Sequence, residues 1–228
     1  HGGVESAAMI NFVNQVAAAI KEEYPDNKLS GAVFEIYLDT DGDGVFNAGI
    51  DTLIGEMSET EIGVYTYEAL RMGGYFLYEK TAPVGFVKDD NYYHFEIIED
   101  GKTVVVENEA GVVFSNKPIT GGLKILKIDS ETKEPLANVG FRVMDTEGNI
   151  IEEAYTDENG IVSFNLRYGE YTYSEFSPLE GYYANNEVYP FAIIEDGEII
   201  EIEFGNEPIP EPDPPQTGDN NLIGFWIG

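Results

Sequence analysis

The chain contains no cysteine in its 228 residues. Disulfides are thereby excluded, which leaves either a reducing compartment or an exported chain braced by something else. Positive charge is scarce: 12 Lys and Arg stand against 43 Asp and Glu, a formal net charge of −31. Such a surface repels nucleic-acid phosphates and anionic lipid head groups, so no nucleic acid is expected as a partner, whereas hard cations are favoured. Histidine is limited to His1 and His94, and neither forms a triad with any Ser. Paired-carboxylate catalysis has no support beyond the abundance of Asp and Glu, so no enzyme is expected. The chain also lacks an initiating Met and a basic-then-apolar leader, opening instead at His1-Gly2-Gly3. That start is read as a fragment or a processed form.

What is present is enough for folded structure. Hydrophobic residues make up 43% of the chain and aromatics 13%, so the charge belongs to a surface rather than to a disordered tail. The length allows two domains, each with its own core.

One order of segments occurs twice. The first copy, from Lys28 to Pro118, runs Leu29-Ser30-Gly31-Ala32-Val33-Phe34, Tyr75 to Phe86, Phe95 to Gly101 and Asn116-Lys117-Pro118. The second runs Leu136 to Phe141, Tyr171 to Tyr182, Phe191 to Gly197 and Asn206-Glu207-Pro208. A repeat of this length is a duplicated domain, too long for one solenoid turn. Each copy keeps a lone Glu in a Tyr-rich run, Glu79 and Glu175, and an Asn ahead of its closing Pro, Asn116 and Asn206.

Strand patterns dominate both copies. Val33 to Leu38, Gly63 to Tyr67, Tyr75 to Glu79, Tyr93 to Ile98 and Thr103 to Val106 are rich in β-branched and aromatic residues between Gly, Asp or Pro turns. Their matches are Leu123 to Ile128, Gly140 to Met144, Gly160 to Asn165, Glu170 to Ser174, Tyr189 to Ile194 and Ile199 to Phe204. Glu-Asp-Gly at 99–101 and 195–197 predicts a hairpin turn in each copy. The fold class is therefore all-β, with two tandem sandwiches over 1–118 and 119–208. Met9, Val13, Val16, Ile20 and Tyr24 fall at helical spacing, so 7–24 is read either as a short amphipathic helix or as the first strand. Residues 209–228 open on a Pro-rich acidic spacer.

Asp39-Thr40-Asp41-Gly42-Asp43-Gly44-Val45-Phe46-Asn47-Ala48-Gly49-Ile50-Asp51 is the sharpest local motif. Its first half matches an EF-hand loop, and the twelfth position is Ile50 rather than Glu. Asp39, Asp41, Asp43, the Val45 carbonyl, Asn47 and Asp51 would together surround a calcium ion, a brace within the first domain. A solvated acidic turn is the other reading.

The repeated elements resemble the collagen-adhesin B-type, or prealbumin-like, domains of Gram-positive surface proteins and pilins. The residues that carry the likeness are Leu126-Lys127-Ile128-Asp129, Lys133-Glu134-Pro135-Leu136, Thr156 to Gly160, Tyr171 to Glu175 and Asn206-Glu207-Pro208. The resemblance implies immunoglobulin-like sandwiches whose first and last strands lie side by side, joined by a Lys–Asn isopeptide bond. Carried over, Lys127 and Asn206 become bond partners with Glu175 as the promoting acid. In the first domain Asn116 and Glu79 match, and Lys21 is the nearest amine. Burial suits this chemistry, because an apolar core strips an ammonium toward its reactive free amine and keeps a carboxylic acid protonated. Such a bond would constrain the unfolded chain as a long-loop disulfide does. In the competing reading, Lys127 points outward from an edge strand, Glu175 pairs with it on the surface, and Asn206 merely turns the chain.

Pro214-Pro215-Gln216-Thr217-Gly218-Asp219 resembles a sortase sorting signal cut between Thr217 and Gly218, with Pro214 where Leu is usual. Leu222 to Gly228 would begin a membrane segment, since a span needs about twenty residues. The resemblance implies a secreted protein at the cell wall or surface, with sortase as a partner. Peptidoglycan or another pilin would follow after anchoring, and the membrane would matter only through that C-terminal segment. An adhesin that grips a host protein or glycan through Tyr92-Tyr93, Tyr155 and Tyr182-Tyr183 is the alternative.

Overall fold

The computed structural model describes residues 8–13, 15–16, 29–101, 103–104, 106 and 115–212. Lys21, Thr217 and Gly218, with the rest of the sorting-like segment, lie outside the described residues. By proximity along the chain trace there are two compact units. The first holds 1–123 with 164–171 and 190–200; the second holds 124–163, 172–189 and 201–228.

The first copy contributes β1 (Ala8–Val13), β2 (Gln15–Val16), β3 (Val33–Leu38), β4 (Thr52–Glu56), β5 (Ser58–Glu61), β6 (Val64–Leu70), β7 (Gly73–Thr81), β8 (Phe86–Val87), β9 (Tyr92–Ile97), β10 (Thr103–Val104) and β11 (Ser115–Pro118). These form sheets ordered β4-β3-β7-β9, β10-β1-β6-β5 and β2-β11-β8. Alternation drives the arrangement: Phe34 and Ile36 of β3, Tyr75 and Leu77 of β7, and Phe95 and Ile97 of β9 all face one core. Each such side chain contributes about 1.5–3 kcal/mol of burial.

The second copy contributes β12 (Thr120–Asp129), β13 (Gly140–Met144), β14 (Ile150–Tyr155), β15 (Ile161–Arg167), β16 (Gly169–Ser177), β17 (Tyr189–Ile193) and β18 (Ile199–Asn206). Its sheets are β15-β12-β18 and β14-β13-β16-β17. Gly122 N donates to Glu198 O (2.8 Å), and further along both strands Ser130 N donates to Asn206 O (2.9 Å). The offset is the same at both points, so β12 and β18 run parallel.

One open choice is decided and one expectation is corrected. Residues 8–13 and 15–16 are strands rather than a helix. β1 pairs antiparallel with β6 and parallel with β10, and this two-sided pairing of its backbone outweighs the helical spacing of its apolar residues. The Glu-Asp-Gly turns are not hairpins. Gly101 and Gly197 take the left-handed φ a reversal needs (69° and 79°), but each turn joins strands of different sheets, β9 to β10 and β17 to β18.

The two copies fasten the loop before Phe34 and Phe141 by different side chains. In the first, the Tyr65 hydroxyl accepts from Ala32 N (3.0 Å) and donates to Leu29 O (3.4 Å). In the second, the Thr156 hydroxyl accepts from Val139 N (3.0 Å) and donates to Leu136 O (2.7 Å).

Candidate functional site

Lys127 sits on β12, the middle strand of its sheet, with its side chain fully enclosed. Leu123 and Ile125, on the same face of that strand, are fully buried as well. Period two then obliges the chain to bury position 127 too, whatever residue stands there. Its Nζ lies 3.5 Å from Glu175 Oε2 and donates to Phe204 O at 3.3 Å. The Phe204 ring covers it at 4.8 Å, held edge-on by Phe141 and by Tyr189.

Burial pushes the Lys127 amine down to about 8, and the attraction of Glu175 only partly opposes this. A free amine is thus accessible near neutral pH. Glu175, on β16, reaches the same spot, and Asn206 closes β18. The Asn206 amide donates to both Glu175 oxygens, at 3.0 and 2.9 Å, with both residues buried. The structure therefore brings together all three residues the sequence nominated. The outward-facing alternative is overturned, since β12 is no edge strand and Lys127 is not exposed. Taking two ions from water costs several kcal/mol each, so this is no cheap surface pair.

The first domain repeats two thirds of the arrangement. Glu79 of β7 has no exposed surface and Asn116 of β11 is 2% exposed. Asn116 Nδ2 donates to both Glu79 oxygens (2.9 and 2.8 Å) and to Val87 O (3.1 Å). Asp89 N donates to Glu79 Oε2 at 2.7 Å. Burial pushes the Glu79 carboxyl up, against the pull of these donors. Asn116 Oδ1 is buried without a hydrogen-bond partner among the described residues. β2 lies alongside β11 in parallel, with Val16 opposite Asn116.

The acidic loop folds around its own backbone. Asp39 accepts from Gly42 N (2.8 Å) and Gly44 N (3.0 Å), and His94 Nε2 stands 3.3 Å away. Although burial opposes it, the donors hold the Asp39 carboxyl below its usual range. Asp43 accepts from Val45 N (2.8 Å) and the Asn47 amide (3.2 Å). One carboxylate oxygen from each of Asp39, Asp41 and Asp43 lies within 4.8 Å of the other two. Asp51 is not in that cluster: its oxygens accept from Thr40 N (2.9 Å) and Asn47 N (2.7 Å). The Val45 carbonyl accepts from the Asn47 amide at 2.9 Å. Asp41 is pushed up by lost hydration and by the charge of Asp43. Phe46 anchors the loop to the outer face of the sheet, stacked on Tyr92 at 3.6 Å and edge-on to Tyr37 at 5.2 Å.

Of the tyrosines read as a ligand-gripping set, only Tyr155 and Tyr183 are exposed, at 57% and 54%. Tyr92 stacks on Tyr78 (4.4 Å), and the Tyr93 hydroxyl donates to Asp89 (2.5 Å). The Tyr182 hydroxyl donates to Asp129 (2.9 Å). Sequence reasoning did not find the roof over Lys127 formed by Phe204, nor the Asp89 donor at Glu79. The one available signal for Phe204 was its place two residues before Asn206.

Residues 16–110 and 121–208 each match the family described as SpaA, prealbumin-like fold domain. Among curated proteins, the collagen adhesin of Staphylococcus aureus is 34% identical over 83 residues, 33% of this chain and 7% of that protein. Among solved structures, the Bacillus anthracis TIE protein superposes with a TM-score of 0.72 at 27% identity, over 89% of this chain and 34% of that one. The C-terminal fragment of the pilus adhesin SpaC from Lactobacillus rhamnosus GG shares the fold at 16% identity, with a TM-score of 0.51 over 91% of this chain and 98% of the fragment. The chain thus spans only a small part of the curated relative it matches.

Proposed function

The chain belongs to the SpaA prealbumin-like family of pilin and adhesin domains from Gram-positive surface proteins, and from that premise we propose that it is a cell-wall-anchored structural stalk whose domains brace themselves with Lys–Asn isopeptide bonds. One observation carries this reading: a fully enclosed lysine faces a carboxylate that also holds the side-chain amide of an asparagine on the neighbouring strand.

The chemistry balances without a cofactor. Free Lys127 Nζ attacks Asn206 Cγ, the new C–N bond forms, and the Cγ–Nδ2 bond breaks. Glu175 shuttles the proton lost by Nζ to the departing Nδ2, which leaves as ammonia. Contact between neighbouring strands supplies the high effective concentration such a slow reaction needs. The chain turns over once, on itself, and no external substrate is involved.

In the first domain Asn116 and Glu79 would play the same parts, with Lys21 as the amine. The orphaned Asn116 Oδ1 supports a missing donor at that spot. Asp39, Asp41 and Asp43 would hold a calcium ion, a hard cation suited to three clustered carboxylates. There it would relieve the repulsion that raises Asp41. Sortase would act between Thr217 and Gly218, placing the chain on peptidoglycan or on another pilin.

Intact mass spectrometry of the purified chain tests the reading. A mass below that of the sequence by two ammonia molecules, with one restored by Glu175→Ala and one by Glu79→Ala, is the expected result. A deficit of one, abolished by Glu175→Ala alone, would leave the first domain uncrosslinked. A mass equal to the plain sequence would sink the isopeptide reading.

A further inference from the structure

Asp129 lies two residues beyond Lys127, and Pro208 lies two beyond Asn206. Tyr182 touches both. Its hydroxyl donates to Asp129 Oδ2 at 2.9 Å, and its backbone bridges Pro208. The clamp extends on either side, because Tyr183 N donates to Glu207 O (3.0 Å) and Ile209 N donates to Gly181 O (2.7 Å). Tyr182 follows β16, the strand that carries Glu175. One residue thus ties the end of β12 to the segment that follows β18, from the loop that leaves β16.

Asp129 is itself firmly held. It is 6% exposed, and its Oδ1 accepts from Glu131 N (2.7 Å) and Thr132 N (2.9 Å). Its other oxygen is left to the Tyr182 hydroxyl. The first domain keeps the strand clamp but not the hydroxyl: Phe86 pairs with Pro118, as Tyr182 does with Pro208. Phenylalanine is therefore compatible with this backbone, and the hydroxyl–carboxylate tie is an addition particular to the second domain.

We propose that Tyr182 is a positioning residue for the Lys127–Asn206 reaction, acting through Asp129 to fix the register of β12 against β18. This rests on the isopeptide reading above. A slip of one residue along β12 would turn Lys127 to the opposite face of the sheet. A smaller shift, of an ångström or so, already costs an intramolecular reaction about a hundredfold. A hydrogen bond to a charged acceptor is strong enough to hold such a register.

The test follows bond formation in time. The full chain is synthesised in a cell-free pulse, chased at pH 7, and digested at intervals so that the crosslinked Lys127–Asn206 peptide can be quantified by mass. Tyr182→Phe and Asp129→Asn should each form the crosslink roughly ten-fold more slowly. Asp129→Asn retains an oxygen for the two turn N–H groups, so the turn itself survives. The double variant should be no slower than the slower single one, as expected of residues acting through each other.

The same substitutions placed in a Glu175→Ala chain, which cannot react, should leave it folded at the chase temperature and lower its melting temperature only by the loss of one hydrogen bond. A wild-type crosslinking rate in Tyr182→Phe would overturn the proposal. So would a rate loss fully matched by lost stability in the unreactive chain, since the contact would then be structural only. Absence of the crosslinked peptide from the unsubstituted chain would instead reject the underlying isopeptide reading, before any Tyr182 variant is made.

Discussion

Gly160 and Lys127 meet backbone to backbone. Lys127 N donates to Gly160 O at 2.7 Å, and a Cβ on Gly160 would stand 2.4 Å from Lys127 O and 3.0 Å from Pro135 Cβ. Gly160 also holds a φ of +72°. Gly160→Ala should therefore cost the second domain about 2 kcal/mol or more, from left-handed strain and the clash together. Because the displaced atom belongs to Lys127, the crosslinked fraction should fall too. Urea denaturation and intact mass of one preparation would read both.

The buried amine gives a pH signature. In Asn206→Ala, which cannot crosslink, Lys127 titrates near 8 when folded and near 10.5 when unfolded. Between those values the unfolded chain binds the extra proton, so stability should rise with pH through that window and stay flat below it. Comparison with Lys127→Met/Asn206→Ala between pH 8 and 9.5 isolates this slope from the tyrosines. In the reactive chain, crosslinking should quicken over the approach to pH 8 and then level off.

Glu175→Gln removes the only charge that faces Lys127 among the described residues while keeping nearly the same shape. An uncompensated buried ammonium costs about 3–5 kcal/mol, whereas replacing both partners by neutral groups is close to neutral. Lys127→Met/Glu175→Gln should therefore be the more stable of the two variants by about 3 kcal/mol in urea denaturation. Equal stabilities would mean that the fold compensates the Lys127 ammonium without Glu175, since shedding the proton from a group that ordinarily titrates near 10.5 would itself cost stability.

Calcium should raise the melting transition of the first domain, and a chelator should reverse the gain. Asp41→Asn and Asp43→Asn should each weaken the response, while magnesium, which demands stricter octahedral geometry, should do less. Asp51→Asn should weaken binding less than either, because Asp51 serves two backbone N–H groups rather than the carboxylate cluster.

Strands with one face on a core were legible in the sequence, because their alternation survives in β9, β15 and β18. The strands that escaped were those with little burial to report. β14 reads Ile150-Ile151-Glu152-Glu153-Ala154-Tyr155 and is exposed over nearly its whole length, and β5 is exposed throughout. No period marks such segments; they are strands because a neighbour pairs with them. The repeat singled out Glu175 and Asn206, a Glu and an Asn that no core would duplicate, while Lys127 was legible only through the resemblance to the collagen-adhesin B-type domains. Tyr182 and Asp129 sit 53 residues apart, and neither residue type marks a partner at that distance. The Glu-Asp-Gly turns misled because a left-handed glycine reports a reversal, not the sheet the next strand joins.

The parallel pairing of β12 with β18 decides how the second domain answers tension. A chain pulled from Thr120 at one end and from beyond Asn206 at the other drags these two neighbours in opposite directions along their own axes. Their hydrogen bonds, from Gly122–Glu198 to Ser130–Asn206, are then loaded together in shear instead of being peeled one after another. A link between Lys127 and Asn206 would sit directly on that line of force. Extension would stop at the first residues of β12, and the residues from 128 to 205 would form a slack loop that never feels the load.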